Sequence, residues 1–527
     1  MKEKKDTSHT IKRAEKLHTI MIGEGLAVGI VAGLTVLAYR IALSYADTWL
    51  QGIIKWVGDH PLRMAAWIAV LLAMAVMVSV LVKWEPMISG SGIPQLEGEM
   101  TGKLEQTWWK VLPAKFAGGF LCLLGGLSLG REGPSIQLGA MTAKGLSRGM
   151  KRGMTEEKFL LTCGASAGLS AAFHAPLAGV MFSLEEIHKN FSATALVSVM
   201  TASLSADFIA SNFIGIEPVF QFEIGNVLPH RYYWMLILLG ILLGILGAVY
   251  NWSTLKVKGI FEKMKKVPLC VKLMVPFLCA GVLGFANPQF LGSGHNLIIS
   301  LTNHEWMLGS VIVVFAVKFL FSVVSFGSGA PGGIFFPMLV LGSLIGGTFG
   351  LAGVEWFGMD MDYVNNLVLL SMAGYFTAIV RAPLTGIILI FEMTGNVNQM
   401  LSLSVISIVA YITAELLKSE PIYESLLKNQ LASMGYVQPE GKGAEKVLSE
   451  YAVMYGSTLD GVKVKDITWP KNCLLVSVKR EGRELIPRGN TTILASDILT
   501  IMTDVKDMGK VYDAMNRLRS EKGIRGA

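Results

Sequence analysis

Gly130-Arg131-Glu132-Gly133-Pro134 is the stretch on which the reading of this chain turns. It sets one carboxylate among glycines, between the apolar run 116–129 and another membrane-type segment. An acid at membrane depth is costly, so it marks a functional site by default. The glycines let backbone N–H groups come close to a ligand. A glycine-rich turn that opens a helix is an anion site, because unpaired N–H groups and the helix dipole point at the ligand. An anion site that carries its own acid suits a gated anion pathway.

The surrounding composition agrees with a membrane setting. The chain has 527 residues, of which only 16% are charged, and a mean hydropathy of +0.51. These values indicate a polytopic membrane protein. Apolar stretches recur from about residue 21 to 417, among them 21–39, 64–82, 234–249, 311–324 and 402–417. There are about ten, and several fall short of the roughly 20 residues of a full span. Many are broken by Gly or Pro, as in transporters or channels whose helices end inside the membrane.

The net charge of +7 is no nucleic-acid signal. Its basic residues sit at the N-terminus, in the stretch 256–266, read as a loop, and in the tail. By the positive-inside rule these regions face the cytoplasm. The opening reads as a first span and not as a cleaved signal peptide. The five cysteines lack metal-ligand spacing, and packing is their expected role. No Walker A motif, nucleophile elbow or metal-ligand cluster points to an enzyme.

The membrane part repeats itself. His174-Ala-Pro-Leu-Ala-Gly-Val-Met-Phe-Ser-Leu-Glu185 matches Arg381-Ala-Pro-Leu-Thr-Gly-Ile-Ile-Leu-Ile-Phe-Glu392. Gly130-Arg-Glu-Gly-Pro134, followed by Leu138-Gly139, matches Gly333-Ile-Phe-Phe-Pro337, followed by Leu341-Gly342. Two matches in the same order indicate duplication, with the binding site expected where the repeats meet. Three punctuated turns (Gly90-Ser-Gly-Ile-Pro94, Gly130–Pro134 and Gly333–Pro337) each place a proline just inside a helix start. Their N–H groups can converge on one anion without a full positive charge, which permits release as well as binding. Each turn alone also reads as a helix break for close packing.

These motifs resemble those of the CLC chloride channel and chloride/proton antiporter family, over about residues 20–430. The resemblance implies an all-α polytopic fold of two inverted repeats with broken helices, in a homodimer where each subunit has its own pathway. The implied divisions are a cytoplasmic segment 1–20, a membrane domain 21–430 (halves 21–230 and 231–430), a linker 431–445 and a cytoplasmic α/β module 446–527. The resemblance further implies that Gly90, Ser91, Ile334, Phe335 and Tyr423 hold the central chloride. The backbone of Gly130, Arg131, Gly133, Gly333 and Phe336 would line the path, and Glu132 would be its external gate. On its own, Tyr423 reads as an interfacial aromatic. Serine at position 91 implies chloride selectivity, since nitrate-preferring members tend to carry proline there and fluoride exporters methionine.

Glu185-Glu186 bears on channel versus antiporter. As a pair they could be solvated charges at the end of a helix that begins near Phe173. The resemblance implies that Glu186 is the internal proton acceptor of an antiporter, where channels tend to carry an apolar residue. A passive voltage- or ligand-gated chloride channel is the alternative. His174, at a helix start, reads as packing or capping rather than as a proton relay, and Arg131 sets the potential at the mouth. Lys115 either faces an aqueous vestibule or snorkels.

Beyond about residue 429 the chain turns polar. Strands are expected over 474–479, 484–487 and 498–502, a turn over 480–483, a helix over 507–519 and a linker over 439–445. The segment 446–505 resembles the TrkA-C (RCK-C) module through Gly456-Ser457, Leu459-Asp-Gly461, Ile467, Val476-Ser-Val478, Arg480-Glu-Gly482, Ile486-Pro-Arg-Gly489, Thr492 and Ala495-Ser-Asp497. The resemblance implies dimerisation and a candidate cyclic di-AMP site at Val478, Arg480, Ile486 and Pro487, or else a ligand-free dimerisation cap. A potassium-channel subunit is disfavoured because no filter sequence is present. The pairing of modules implies a bacterial cell membrane with both termini inside. No cofactor is expected besides the transported chloride and protons and that possible nucleotide.

Overall fold

A computed structural model describes residues 2–58, 60–189, 191, 193–217, 219–220, 227–303, 306–435, 446–480, 483–504 and 507–519. The chain divides into two compact units, residues 1–431 and 432–527. The expected linker at 439–445 and the turn residues 481–482 lie outside the described residues.

The first unit is helical. Among the described residues nine helices are long and apolar enough to cross a membrane, from Thr19–Val57 to Val397–Leu416. The basic stretch at 256–266 proves to be mainly the end of the helix Tyr233–Lys263, because its apolar period runs on past Lys256. Glycines let the helices touch backbone to backbone. A Cβ at Gly139 would lie 2.2 Å from Gly164 O, and one at Gly346 would lie 2.3 Å from Leu367 O. The first contact packs the helix Glu132–Gly149 on Met154–Phe173. The second packs Phe335–Phe357 on Val364–Val380 in the other half. Small residues at such crossings are the usual basis of helix association in lipid.

The two repeats interlock at equivalent residues. Gly130 N–H donates to Gly333 O at 2.7 Å, and Gly333 N–H donates to Gly130 O at 2.8 Å. The helix from Pro176 is capped by Glu392, whose carboxylate accepts from Leu177 N–H (2.9 Å) and Ala178 N–H (2.7 Å). The helix from Pro383 is capped by Glu185, which accepts from Leu384 N–H (3.3 Å), Thr385 N–H (2.8 Å) and Thr385 Oγ1 (2.8 Å). Each half thus supplies the carboxylate that satisfies the orphan N–H groups of the other. Residues paired with their own counterparts define a local two-fold axis between the repeats.

His174 does not start a helix. It closes Met154–Phe173 in the left-handed region (φ 57°), and its Nδ1 pairs with Asp207 Oδ1 at 2.8 Å. The next helix begins at Pro176 and runs into one π-turn, Ser183–His188. The proline cannot continue the preceding helix, which moves the start beyond Phe173.

The second unit holds an antiparallel sheet of β1 (Lys446–Ala452), β2 (Cys473–Arg480), β3 (Arg483–Leu485) and β4 (Ile498–Asp504), in the order β1-β4-β2-β3. Tyr451, Val478, Leu499 and Ile501 form its core with Val511 and Met515 of the helix Met508–Arg519. Arg480 forms a two-pronged pair with Asp497, Nε to Oδ1 at 2.8 Å and Nη2 to Oδ2 at 2.7 Å. Asp497 is buried, and it also accepts from Leu494 N–H at 2.8 Å. Burial pushes the Asp497 carboxyl up, but the Arg480 guanidinium and the Leu494 N–H outweigh it and hold the group below its ordinary range.

A carboxyl with a lowered folded-state pKa stabilises above its unfolded value, and that contribution fades as pH falls through the folded value. Arg480→Ala leaves Asp497 buried without its cation. It should destabilise the second unit by about 2–4 kcal/mol at neutral pH. The wild-type unit should also lose stability below about pH 4, and the variant less so. Unfolding of residues 432–527 followed by circular dichroism across pH checks both expectations.

Candidate functional site

The site grows from three helix starts brought together by the repeat contact. Gly90 and Gly92 hold the Ser91 loop in the left-handed region, with φ 69° and 93°. The loop rests directly on the Glu132 helix, since a Cβ on Gly133 would lie 2.7 Å from Ser91 O. Ser91 is buried, and its Oγ accepts from Ile93 N–H at 3.3 Å, leaving the hydroxyl proton available to an anion. Pro94 then falls in the first turn of the helix Ile93–Met100.

Lys115 fastens this loop. It is fully buried, and its Nζ donates to Ile88 O (2.8 Å) and Gly90 O (2.7 Å). It therefore neither lines a vestibule nor snorkels, because the loop carbonyls replace its water. The second half repeats the device with buried Lys318, which donates to Phe290 O (3.0 Å) and Gly292 O (2.7 Å). Those carbonyls flank Gly292-Ser293-Gly294, a second Gly-Ser-Gly. Sequence reasoning passed over this loop and Lys318, although the repeated tripeptide was a usable signal.

Glu132 opens its helix with Arg131 as the preceding cap residue. Its side chain crosses to the other half, where Oε2 accepts from Phe336 N–H at a long 3.4 Å. Oε1 is buried with no hydrogen-bond partner among the described residues. A Cβ at position 130 would lie 2.1 Å from Glu132 Oε2 and 3.1 Å from Phe336 N, so a side chain there would displace the Glu132 carboxylate from this position. Ile334 caps the helix Phe335–Phe357, so the N–H groups of Ile334, Phe335 and Phe336 lie in the first turn, where intrahelical partners are lacking. Gly333 completes the turn through its pairing with Gly130.

Tyr423 comes from the helix Ile422–Ser433. It is fully buried, yet its hydroxyl has no hydrogen-bond partner among the described residues. Its ring stands edge-on to Phe182 (6.4 Å), which also packs on Phe335 (5.9 Å). Phe335 in turn lies against Phe376 (4.8 Å) and Phe173 (5.6 Å). A phenol in such an apolar cage does not keep its O–H unpaired without reason.

The two adjacent acids separate in role. Glu185 is held by the inter-repeat cap described above. Glu186 is buried, and its Oε1 has no partner among the described residues. Both acids lie in the π-turn Ser183–His188, where, as in any helix, successive side chains point in different directions. The capping role of Glu392 was hidden in the sequence, although its place in the repeat was plain.

In the second unit the four candidate ligand residues do not form one exposed set. Val478 is a core residue, Arg480 is committed to Asp497, Ile486 is exposed and Pro487 is partly buried.

Comparisons with known proteins accord with this geometry. Residues 73–415 match the voltage gated chloride channel family, and residues 448–516 match the TrkA-C domain. The chain is 32% identical over 446 residues to the H(+)/Cl(-) exchange transporter ClcA of Salmonella typhimurium, covering 83% of this chain and 94% of the relative. A crystal structure of a slow cyanobacterial Cl-/H+ antiporter superposes with TM-score 0.74 at 32% identity, over 79% of this chain and 99% of that one. A CLC-type fluoride/proton antiporter shares the fold at TM-score 0.65 and 21% identity, over 77% and 97% of the two chains. A serine, a tyrosine and two paired helix starts at the centre of a duplicated membrane domain, together with these matches, place the chain in the CLC family of voltage gated chloride channels and antiporters, with a TrkA-C domain at its end.

Proposed function

We propose that this protein exchanges chloride for protons across a bacterial cell membrane, as a homodimer with both termini in the cytoplasm. The observation that carries the reading is the position of Glu132. Its carboxylate lies at the N-terminal turn of the Phe335 helix, where an anion would be bound by N–H groups and the helix dipole. Carboxylate and chloride then compete for one place. Protonation removes the charge and lets the side chain leave, so each anion that enters is linked to a proton. The long 3.4 Å contact fits a group that must release.

Chloride would rest between Ser91, Tyr423 and the first N–H groups of the Phe335 helix. Uncharged donors bind weakly enough for passage. Glu186 is the proton acceptor on the cytoplasmic side. A buried acid without a full set of partners is expensive, and proton transfer accounts for its retention. The relatives named as exchange transporters support antiport over a passive channel.

For the tail we propose a dimerising module that binds a nucleotide such as cyclic di-AMP and shifts transport through the link after Tyr423. The TrkA-C match and the exposed Ile486 support this reading. With Arg480 held by Asp497, phosphate recognition falls to other groups.

Three variants test the antiport in liposomes, with proton and chloride fluxes recorded together. Glu132→Ala should abolish chloride-driven proton movement while chloride flux persists, and intact coupling would refute the gate. Glu186→Ala should lower proton flux by about 100-fold, the scale of a lost proton-transfer group, and chloride flux much less. A wild type that moves chloride without protons would establish the channel alternative. Ser91→Pro removes one donor to the anion and should shift preference from chloride towards nitrate by about tenfold. Wild-type fluoride flux above chloride flux would contradict the site.

A further inference from the structure

One cation sits where three functional elements meet. Lys189 directly follows the π-turn that carries Glu186, and its backbone adopts the left-handed region at φ 52°. That conformation is unfavourable for a residue with a Cβ and persists only where the surroundings demand it. Here it aims the side chain at two carboxylates. Nζ donates to Glu97 Oε1 at 2.6 Å and also to Glu424 Oε1.

The partners are informative. Glu97 lies on the helix Ile93–Met100, which starts immediately after the Ser91 loop. Glu424 is the residue after Tyr423 on the helix Ile422–Ser433. Glu97 is buried, Lys189 is its one ion-pair partner among the described residues, and its Oε2 has no hydrogen bond there. Lys103 is the other cation whose charge reaches Glu97, but no ion pair joins the two among the described residues.

We infer that Lys189 is a positioning residue that clamps the Ser91 helix and the Tyr423 helix to the segment bearing Glu186. The inner side of the anion path and the proton entrance then shift together. Without the clamp, the two hydroxyl-bearing helices can part while Glu186 stays in place. Chloride would pass the inner side without a proton being delivered. The unpaired Glu97 carboxylate would also be left beside the proton route. This inference rests on the antiport reading above.

The test uses the full-length protein in liposomes, comparing proton-to-chloride flux ratios. Lys189→Met should lower the ratio by about fivefold or more with chloride flux retained, and Lys189→Arg should restore it, since a guanidinium can reach both carboxylates. Glu424→Gln, at the exposed end of the clamp, should lower the ratio in the same direction and guards against misfolding of Lys189→Met. An unchanged ratio in Lys189→Met or in Glu424→Gln would overturn the inference, as would equal loss in Lys189→Met and Lys189→Arg. A wild type without proton movement would strike the antiport reading itself and take this inference with it.

Discussion

The pairing of Gly130 with Gly333 is the constraint on which the rest of the membrane unit depends. Two strand-like residues, each just before a helix start, exchange both backbone hydrogen bonds. In hydrocarbon such irregular backbone survives only if every polar group finds a partner inside the protein. The pairing satisfies these groups and aligns two helix starts whose first-turn N–H groups lack intrahelical acceptors, that of Phe336 turning to the Glu132 carboxylate instead. Those leftover donors are what an anion needs. Glycine at 130 leaves room for the Glu132 carboxylate, whose place a side chain there would occupy.

The same economy appears wherever the fold carries charge at depth. Lys115 and Lys318 are buried, yet each replaces lost water with two carbonyls of a Gly-Ser-Gly loop. Glu185 and Glu392 cap helices across the repeat boundary. These ions are consumed by structure. Glu132, Glu186 and Tyr423 differ, since each retains a buried oxygen without a protein partner among the described residues. On the proposed function, those oxygens are where the proton or the anion would be met.

Much of this was legible in the sequence, for physical reasons. Gly and Pro mark helix starts whatever the neighbours are, so the three turns could be found without a structure. The duplication was visible because both copies keep the same punctuation. Partnership across long sequence separation was not visible. Lys115 was misread because nothing local shows that its ammonium meets the carbonyls of Ile88 and Gly90. The strand Lys446–Ala452 escaped notice as a half-exposed edge strand, whose mixed side chains carry a weak alternating signal. Val478 and Arg480 were named as ligand groups through the resemblance, and the place of Val478 in the core and the Asp497 partner of Arg480 emerge only in the folded sheet.

The central claim is that Glu132 and chloride compete for the first turn of the Phe335 helix. Anomalous diffraction from crystals grown in bromide, comparing the wild type with Glu132→Gln, addresses it directly. The account predicts a bromide peak beside Phe336 N–H in the variant and none there in the wild type. The same pattern of peaks in both proteins, with none gained at that turn, would contradict it.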